Sequence, residues 1–427
     1  DKYFFQVPAY QRPFSWEQQN FEDLIDDIAT ADPDGSYFLG TLVLHKKDDE
    51  NNYDIVDGQQ RLTSILILLS CLRDGVEDAD YKSDVQKMVV EPKNVVKKIA
   101  ERVRVEVREL GDFEKFVVTP EGTTDVPTYK TKPDPLRRYL MAIKVFSERI
   151  VEFSEEEKRR IINYISTNCF VMVLSTTNFE EAFRLFAIVN DRGKQLRRID
   201  ILKATNISPD LITQNSIRQQ YAADWENLEN ELGETTFESI FYLLRLSLLK
   251  DKPQGDLLRE FEDRVFKPRT VPRGTAFLNL VFQYVKTYRS VFIDRDVLDK
   301  KDPVYNKFDA LLHIMDSEFR ASEWRATIIS FAQKFGSKNL YPFLCAIEKL
   351  FLDHWLNAVR KDERYSVYAG ILNAIEKEKD PEAVIGAVPI NEGRIKKAIV
   401  ESRAYGAGYC KYILLRLEVA VSEHDSL

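Results

Sequence analysis

Residues 62–72 constrain the fold of this chain more than any other stretch. Leu62, Ile65, Leu66, Ile67, Leu68, Leu69 and Leu72 stand on nearly every face, relieved only by the small polar Thr63, Ser64 and Ser70. A helix that is apolar all round is stable only when other elements enclose it. The run also falls well short of the roughly 18–20 residues that cross a bilayer. It therefore predicts a central helix inside a sizeable domain and not a membrane span.

The chain enters that helix from a strand, through Asp57-Gly58-Gln59-Gln60-Arg61. Tyr37-Phe38-Leu39-Gly40-Thr41-Leu42-Val43-Leu44 and Tyr53-Asp54-Ile55-Val56 are rich in β-formers and flank a polar loop, the pattern of a hairpin with a charged tip. Strand, glycine turn and helix in that order present free backbone N–H groups and the positive end of the helix dipole at one point, where a phosphate is welcome. Local chemistry accounts for part of this: Asp57 as N-cap with Gln60 three residues on is a capping-box pattern, and Gly58 then serves only the turn. Gln59 and Arg61 are left over, two hydrogen-bonding groups and a permanent charge at the mouth of an apolar helix. They call for a polar ligand or a buried partner, and for Arg61 a carboxylate ion pair is the plain alternative.

Two further features carry candidate chemistry. Val7-Pro8-Ala9-Tyr10-Gln11-Arg12-Pro13-Phe14-Ser15-Trp16 packs two prolines, three aromatics and one arginine into ten residues. The prolines hold it extended, and its aromatics either stack on bases or pack onto the domain as an amino-terminal arm. Phe179, Ala182, Phe183, Phe186 and Ala187 form one helical face leading to Asn190-Asp191-Arg192-Gly193-Lys194, where Gly193 ends the helix. The next helix begins near Asp200. Between Arg192 and Lys203 five basic residues face the single acidic Asp200, so this loop either meets phosphates or is a solvated helix end matched to its dipole.

Residues 103–108 alternate with period two like a half-exposed strand, and residues 169–174 read as a more buried one. Helical patterns span about 134–152 and 154–167. After roughly residue 205 strand signals fade and helices dominate, among them 216–232, 236–249, 257–266, 276–292 and 307–315. The expected class is α+β: an α/β amino-terminal domain over residues 1–205, followed by an all-helical domain over residues 206–427. The length of 427 residues fits two or three domains.

Several functions are excluded or made remote. There is no GxxxxGK[ST] loop, no HExxH and no GxSxG, and Gly406-Ala407-Gly408 lacks the third glycine and the strand of a dinucleotide site. The four cysteines, Cys71, Cys169, Cys345 and Cys410, lie far apart in apolar segments and read as buried free thiols. His45, His313, His354 and His424 share no metal-ligand spacing. A net charge of −8 makes any nucleic-acid contact local. With no signal peptide, the reading is a cytoplasmic protein with no membrane partner. The chain opens on Asp1 instead of methionine and ends just after an apolar helical run, so it reads as a piece of something longer.

Taken together, residues 10–16, 37–44, 55–63 and 189–196 resemble, in order and spacing, the amino-terminal domain of GmrSD-type restriction proteins. The same domain occurs in a phosphorothioation-dependent DNA-defence protein and is similar to the ParB/sulfiredoxin nucleotide-binding fold. The resemblance is specific over about the first 205 residues and looser beyond, through Phe261 and residues 413–418. It implies binding and hydrolysis of a nucleoside triphosphate, with GTP, UTP, CTP and ATP all open, assisted by Mg2+ or another divalent ion.

On that basis Asp57, Gln59, Gln60 and Arg61 are the expected catalytic residues, with Asp57 also the metal ligand. Gly58, Arg61, Gln11, Arg12, Asn190, Arg192 and Gly193 are expected to bind nucleotide, and Tyr10, Arg12, Trp16 and Lys194 to contact DNA. The implied role is the nucleotide-dependent sensor of a modification-dependent restriction, or phage-defence, system. A non-hydrolysing nucleotide- or DNA-binding module and a ParB-like nuclease are the alternatives. Relatives often carry a carboxy-terminal nuclease of the His-Me finger kind; this sequence shows no setting for one, so a nuclease domain or subunit is an expected partner, with DNA. The preferred nucleotide, the DNA modification and homodimer formation stay open.

Overall fold

The computed structural model describes residues 3–47, 51–93, 95–96, 101–108, 110–130, 134, 136–178, 181–182, 185, 197–401 and 407–421. The chain divides into two compact units, Asp1–Thr205 and Asn206–Leu427. In the first, a mixed sheet is built from β1 (Phe4–Gln6), β2 (Tyr37–Lys46), β3 (Asn52–Asp57), β6 (Val105–Glu106) and β7 (Cys169–Thr176), in the order β6-β1-β3-β2-β7. β2 and β3 pair antiparallel as the hairpin, whereas β1 pairs parallel with both β3 and β6, and β2 pairs parallel with β7. A small ladder joins β4 (Val90–Glu91) to β5 (Arg102–Val103).

Helices α1 (Gln18–Thr30), α2 (Gln59–Gly75), α3 (Ala79–Val89), α4 (Leu110–Phe113), α5 (Leu136–Val151), α6 (Glu155–Thr167) and α7 (Arg198–Asn206) complete the elements of this part. α2 contains the apolar run and is enclosed as that run requires, packing against α3, α5, α6 and β6. Ile67, Leu68 and Leu72 are wholly buried, and each such side chain stabilises the fold by about 1.5–3 kcal/mol.

The far end of α2 is fixed by a buried guanidinium. Arg73 donates to Asp74 (2.6 Å), to Gln86, and to the carbonyls of Val117, Val118 and Thr119 in the π-helical segment Glu114–Val118 and its cap. Burial pushes the Asp74 carboxyl up, but its bonds from Arg73 and Thr123 outweigh that and hold it low. The carboxy-terminal end of the central helix is thereby set.

Two strand readings differ from the structure. Residues 103–108 are not one strand: Val103 belongs to the small ladder and Val105 to the large sheet, and between them Arg104 bonds Val89 on one side and Phe5 on the other. β7 is not a buried strand either. Among the described residues it lies at the sheet edge beside β2, and Phe170, Met172 and Val173 are each about half exposed, with the Phe170 ring against Phe38 at 5.2 Å. Hydrophobicity alone does not distinguish an edge strand from a central one.

The second unit is helical: α8 (Asn215–Leu232), α9 (Glu234–Leu249), α10 (Leu257–Glu260) running into the π-helical Phe261–Phe266, α11 (Thr275–Phe292), α12 (Tyr305–Glu318), α13 (Glu323–Phe335), α14 (Leu340–Leu356), α15 (Lys361–Lys377), α16 (Pro381–Gly386), α17 (Glu392–Glu401) and α18 (Cys410–Val421). α13 is central, packing against α9, α11, α14 and α15 with Trp324, Ile328, Ile329 and Phe331 wholly buried. Among the described residues no helix is long and apolar enough to cross a membrane. All four cysteines are free thiols, Cys71 buried and the other three partly exposed.

Candidate functional site

The turn between β3 and α2 is built around Gly58, and Gly58, not Asp57, is the N-cap. Its φ of 95° is left-handed, a conformation open to glycine at little cost. A Cβ there would meet Leu42 Cδ2 at 2.1 Å. The capping box expected from Asp57 and Gln60 does not form: among the described residues no side chain caps α2. Asp57 is the last residue of β3 and turns its carboxylate onto the Gly58 N–H, while the Gln60 side chain is drawn away to the amino-terminal arm. The first-turn N–H groups of a helix of 17 residues are therefore left without a capping side chain, the condition under which a helix terminus attracts an anion.

Three side chains surround this terminus. Asp57 is half-buried, and burial raises its carboxyl pKa from the ordinary value against the opposing pull of the Gly58 N–H and of Arg61. Gln59 is 7% exposed, yet its amide makes no side-chain hydrogen bond among the described residues. Arg61 is exposed, and among the described residues its one polar contact is a long 3.4 Å approach to the Thr41 carbonyl. It makes no ion pair among the described residues, so the carboxylate partner considered for it is not found.

Sequence reasoning missed Gly40. At φ 108° it marks the register shift between β2 and β7, and a Cβ would come within 2.4 Å of Arg61 Nη1. The guanidinium thus lies across bare backbone at that point. A lone glycine inside a β-rich run is the signal that would have drawn attention to it.

The arm is anchored around the turn. Gln60 Oε1 accepts the N–H groups of Ser15 (2.8 Å) and Trp16 (3.2 Å). Gln11 Nε2 donates to the carbonyls of Ile55 (3.0 Å) and Val56 (2.6 Å), the strand entering the turn, and Arg108 holds the Gln11 carbonyl at 2.9 Å. Arg12 pairs with the buried Asp200 at the start of α7, which also binds the Arg197 backbone N–H and guanidinium. Asp200 was visible in the sequence only as the lone acid in a basic stretch.

The arm's aromatics pack onto the domain. Phe14 is buried between Phe21 and Tyr139. Tyr10 is 5% exposed, and burial together with the Asp54 carboxylate raises its pKa well above the ordinary value; it offers no open face to a base. Trp16 is partly buried, 6.0 Å from the Phe21 ring. Gln11, Arg12, Gly58, Gln59, Gln60 and Arg61 are thus all local to one turn and its strap, whereas Asn190, Arg192, Gly193 and Lys194 lie outside the described residues.

A cavity of about 500 Å³ in this unit, lined among others by Phe4, Lys47, Asn52, Tyr53 and Arg102, lies at the other end of β3 from Asp57. Asp57 is the carboxylate the turn itself brings to the helix terminus, and among the described residues no cluster of three or more His, Cys, Asp or Glu could hold a metal. One carboxylate nevertheless suits Mg2+, which takes one or two protein oxygens and completes its shell with phosphates and water.

Residues 1–207 match the family described as GmrSD restriction endonuclease, N-terminal domain. No curated protein matches the chain.

Proposed function

Residues 1–207 form a domain of the GmrSD restriction endonuclease N-terminal family, and on that premise we propose that the Gly58 turn binds and hydrolyses a nucleoside triphosphate as the sensor of a modification-dependent DNA restriction system. The observation that supports this reading is the α2 terminus without a capping side chain and, beside it, the largely buried Gln59, whose amide makes no hydrogen bond among the described residues. The first-turn N–H groups and Arg61 take phosphate oxygens, the guanidinium spreading over charge that grows in the transition state. Gln59 orients the phosphates or the attacking water. Asp57 holds that water or a divalent ion, which supplies charge neutralisation of the phosphates when bound. Gln60, Gln11 and Arg12 act one step away, keeping the arm strapped beside the turn.

Hydrolysis would reset a switch that licenses a nuclease, carried by another segment or subunit, when modified DNA is engaged. The test is phosphate release from GTP, UTP, CTP and ATP with Mg2+. At least one nucleotide is expected to turn over, with a loss of roughly tenfold or more in Arg61→Ala, the usual scale for removing one charge-stabilising donor. Turnover that survives in an Asp57→Ala, Arg61→Ala double variant overturns the assignment. A second reading, nucleotide binding without turnover, is favoured by one feature: the Gln60 amide is committed to Ser15 and Trp16, leaving fewer groups to position water. Saturable binding with no phosphate release distinguishes it.

A further inference from the structure

The helical unit contains a pocket unrelated to the Gly58 turn. A cavity of about 260 Å³ opens where Arg320 follows α12, where His354 and Trp355 close α14, and where Arg364 begins α15. Its aromatic walls are rigid: Phe319 stacks on Phe351 at 3.7 Å and 8°, and meets Trp355 edge-on at 86°. His354 lines it at 5% exposure with a ring that makes no hydrogen bond among the described residues. Burial lowers the His354 pKa from its ordinary value, so at neutral pH the ring is uncharged, with one donor and one acceptor.

The charges at the rim are unequal. Arg364 is balanced by Glu323 at 3.2 Å and also donates to the Val359 carbonyl. Arg320 is exposed and makes no ion pair among the described residues. Among the described residues one positive charge is therefore uncommitted beside two aromatic side chains. Size narrows the occupant further, since an apolar cavity of about 150 Å³ holds one benzene; 260 Å³ is the scale of one substituted ring.

We propose that this pocket binds a single planar ring carrying one negative charge, packed in the corner that the near-perpendicular Phe351 and Trp355 rings form (79°), its anionic group on Arg320 and another edge toward His354. The ring comes either as a free small molecule or as the end group of a longer one; both present the same chemistry to the pocket.

Calorimetry and saturation-transfer NMR on the intact chain test it, with benzoate and orotate as ring anions, benzamide as a neutral ring and acetate as an anion without a ring. At least one ring anion is expected to bind one-to-one, with benzamide and acetate weaker by about tenfold or more, the scale of one charge-assisted hydrogen bond. Arg320→Gln should lose binding by a similar factor while its melting temperature stays that of the parent, because the side chain is exposed and makes no ion pair among the described residues. Arg320→Lys should recover part of it, and Arg61→Ala should leave it unchanged, which separates this site from the nucleotide reading. Failure of both ring anions to bind at millimolar concentration, or binding indifferent to Arg320→Gln, overturns the proposal. For the source of the ring, an oligonucleotide whose 5′ end carries orotate linked through a ring nitrogen, its carboxylate free, identifies an end-group pocket if it binds as well as free orotate, and a pocket for free molecules if it fails.

Discussion

Gly58 is where a single residue decides most. Adding a Cβ forces a left-handed backbone on an L-residue and drives the new carbon into Leu42. Gly58→Ala is expected to cost about 2–4 kcal/mol, summing backbone strain and overpacking, read as a lower urea midpoint with an unchanged slope. Asp57 behaves in the opposite way. Its carboxyl is raised by burial, so the folded state holds the proton more tightly than the unfolded chain. Stability therefore falls as pH rises from the usual carboxylate value through the folded pKa, and above that window the ionised group is a constant cost. Asp57→Asn keeps an oxygen for the Gly58 N–H and removes that cost. Its melting temperature at pH 7 should equal or exceed the parent's, with a flatter dependence on the acid side, while triphosphate turnover is lost. A parallel loss of stability and activity would assign Asp57 a structural role instead.

At the scale of elements, the strand, turn and helix around residue 58 were legible because each rests on local pattern: β-formers, a glycine, an apolar run. The capping box was not. Gln60 had two choices of partner, its own helix terminus and the arm 44–45 residues earlier in sequence, and local spacing registers only the first. The arm itself was ambiguous for a related reason: aromatics beside prolines suit a base stack or a core equally, and Phe21 and Tyr139 decide between them by enclosing Phe14. The strap gives a prediction. Gln60→Ala leaves the Ser15 and Trp16 amides without their acceptor and should cost about 1–2 kcal/mol, with faster hydrogen exchange at those two amides. Gln60→Glu retains an acceptor oxygen and should largely restore protection.

At the scale of the whole molecule, the turn, the arm, Gly40 and Asp200 all belong to the first unit. If they suffice, a fragment ending at residue 207 should unfold cooperatively and bind nucleotide within about threefold of the intact chain, as expected of a domain with its own core. A much weaker affinity would mean that groups beyond residue 207 contribute. The change from mixed to helical structure near residue 205 could be read from periodicity, since it is a property of each segment in turn.

Chain pattern alone determined the enclosed helix α2, the hairpin before it, the glycine turn joining them and the helical second half, because 2.0 and 3.6 residue periods are local consequences of backbone geometry. Tertiary structure alone decided that Gly58 caps the helix without a side chain, that Gln60 serves the arm, and that, among the described residues, Arg61 lies across Gly40 without an ion pair and β7 stands at the sheet edge. Each of those depends on which of several chemically equivalent partners comes within reach, and distance between segments remote in sequence is set only when the whole core closes.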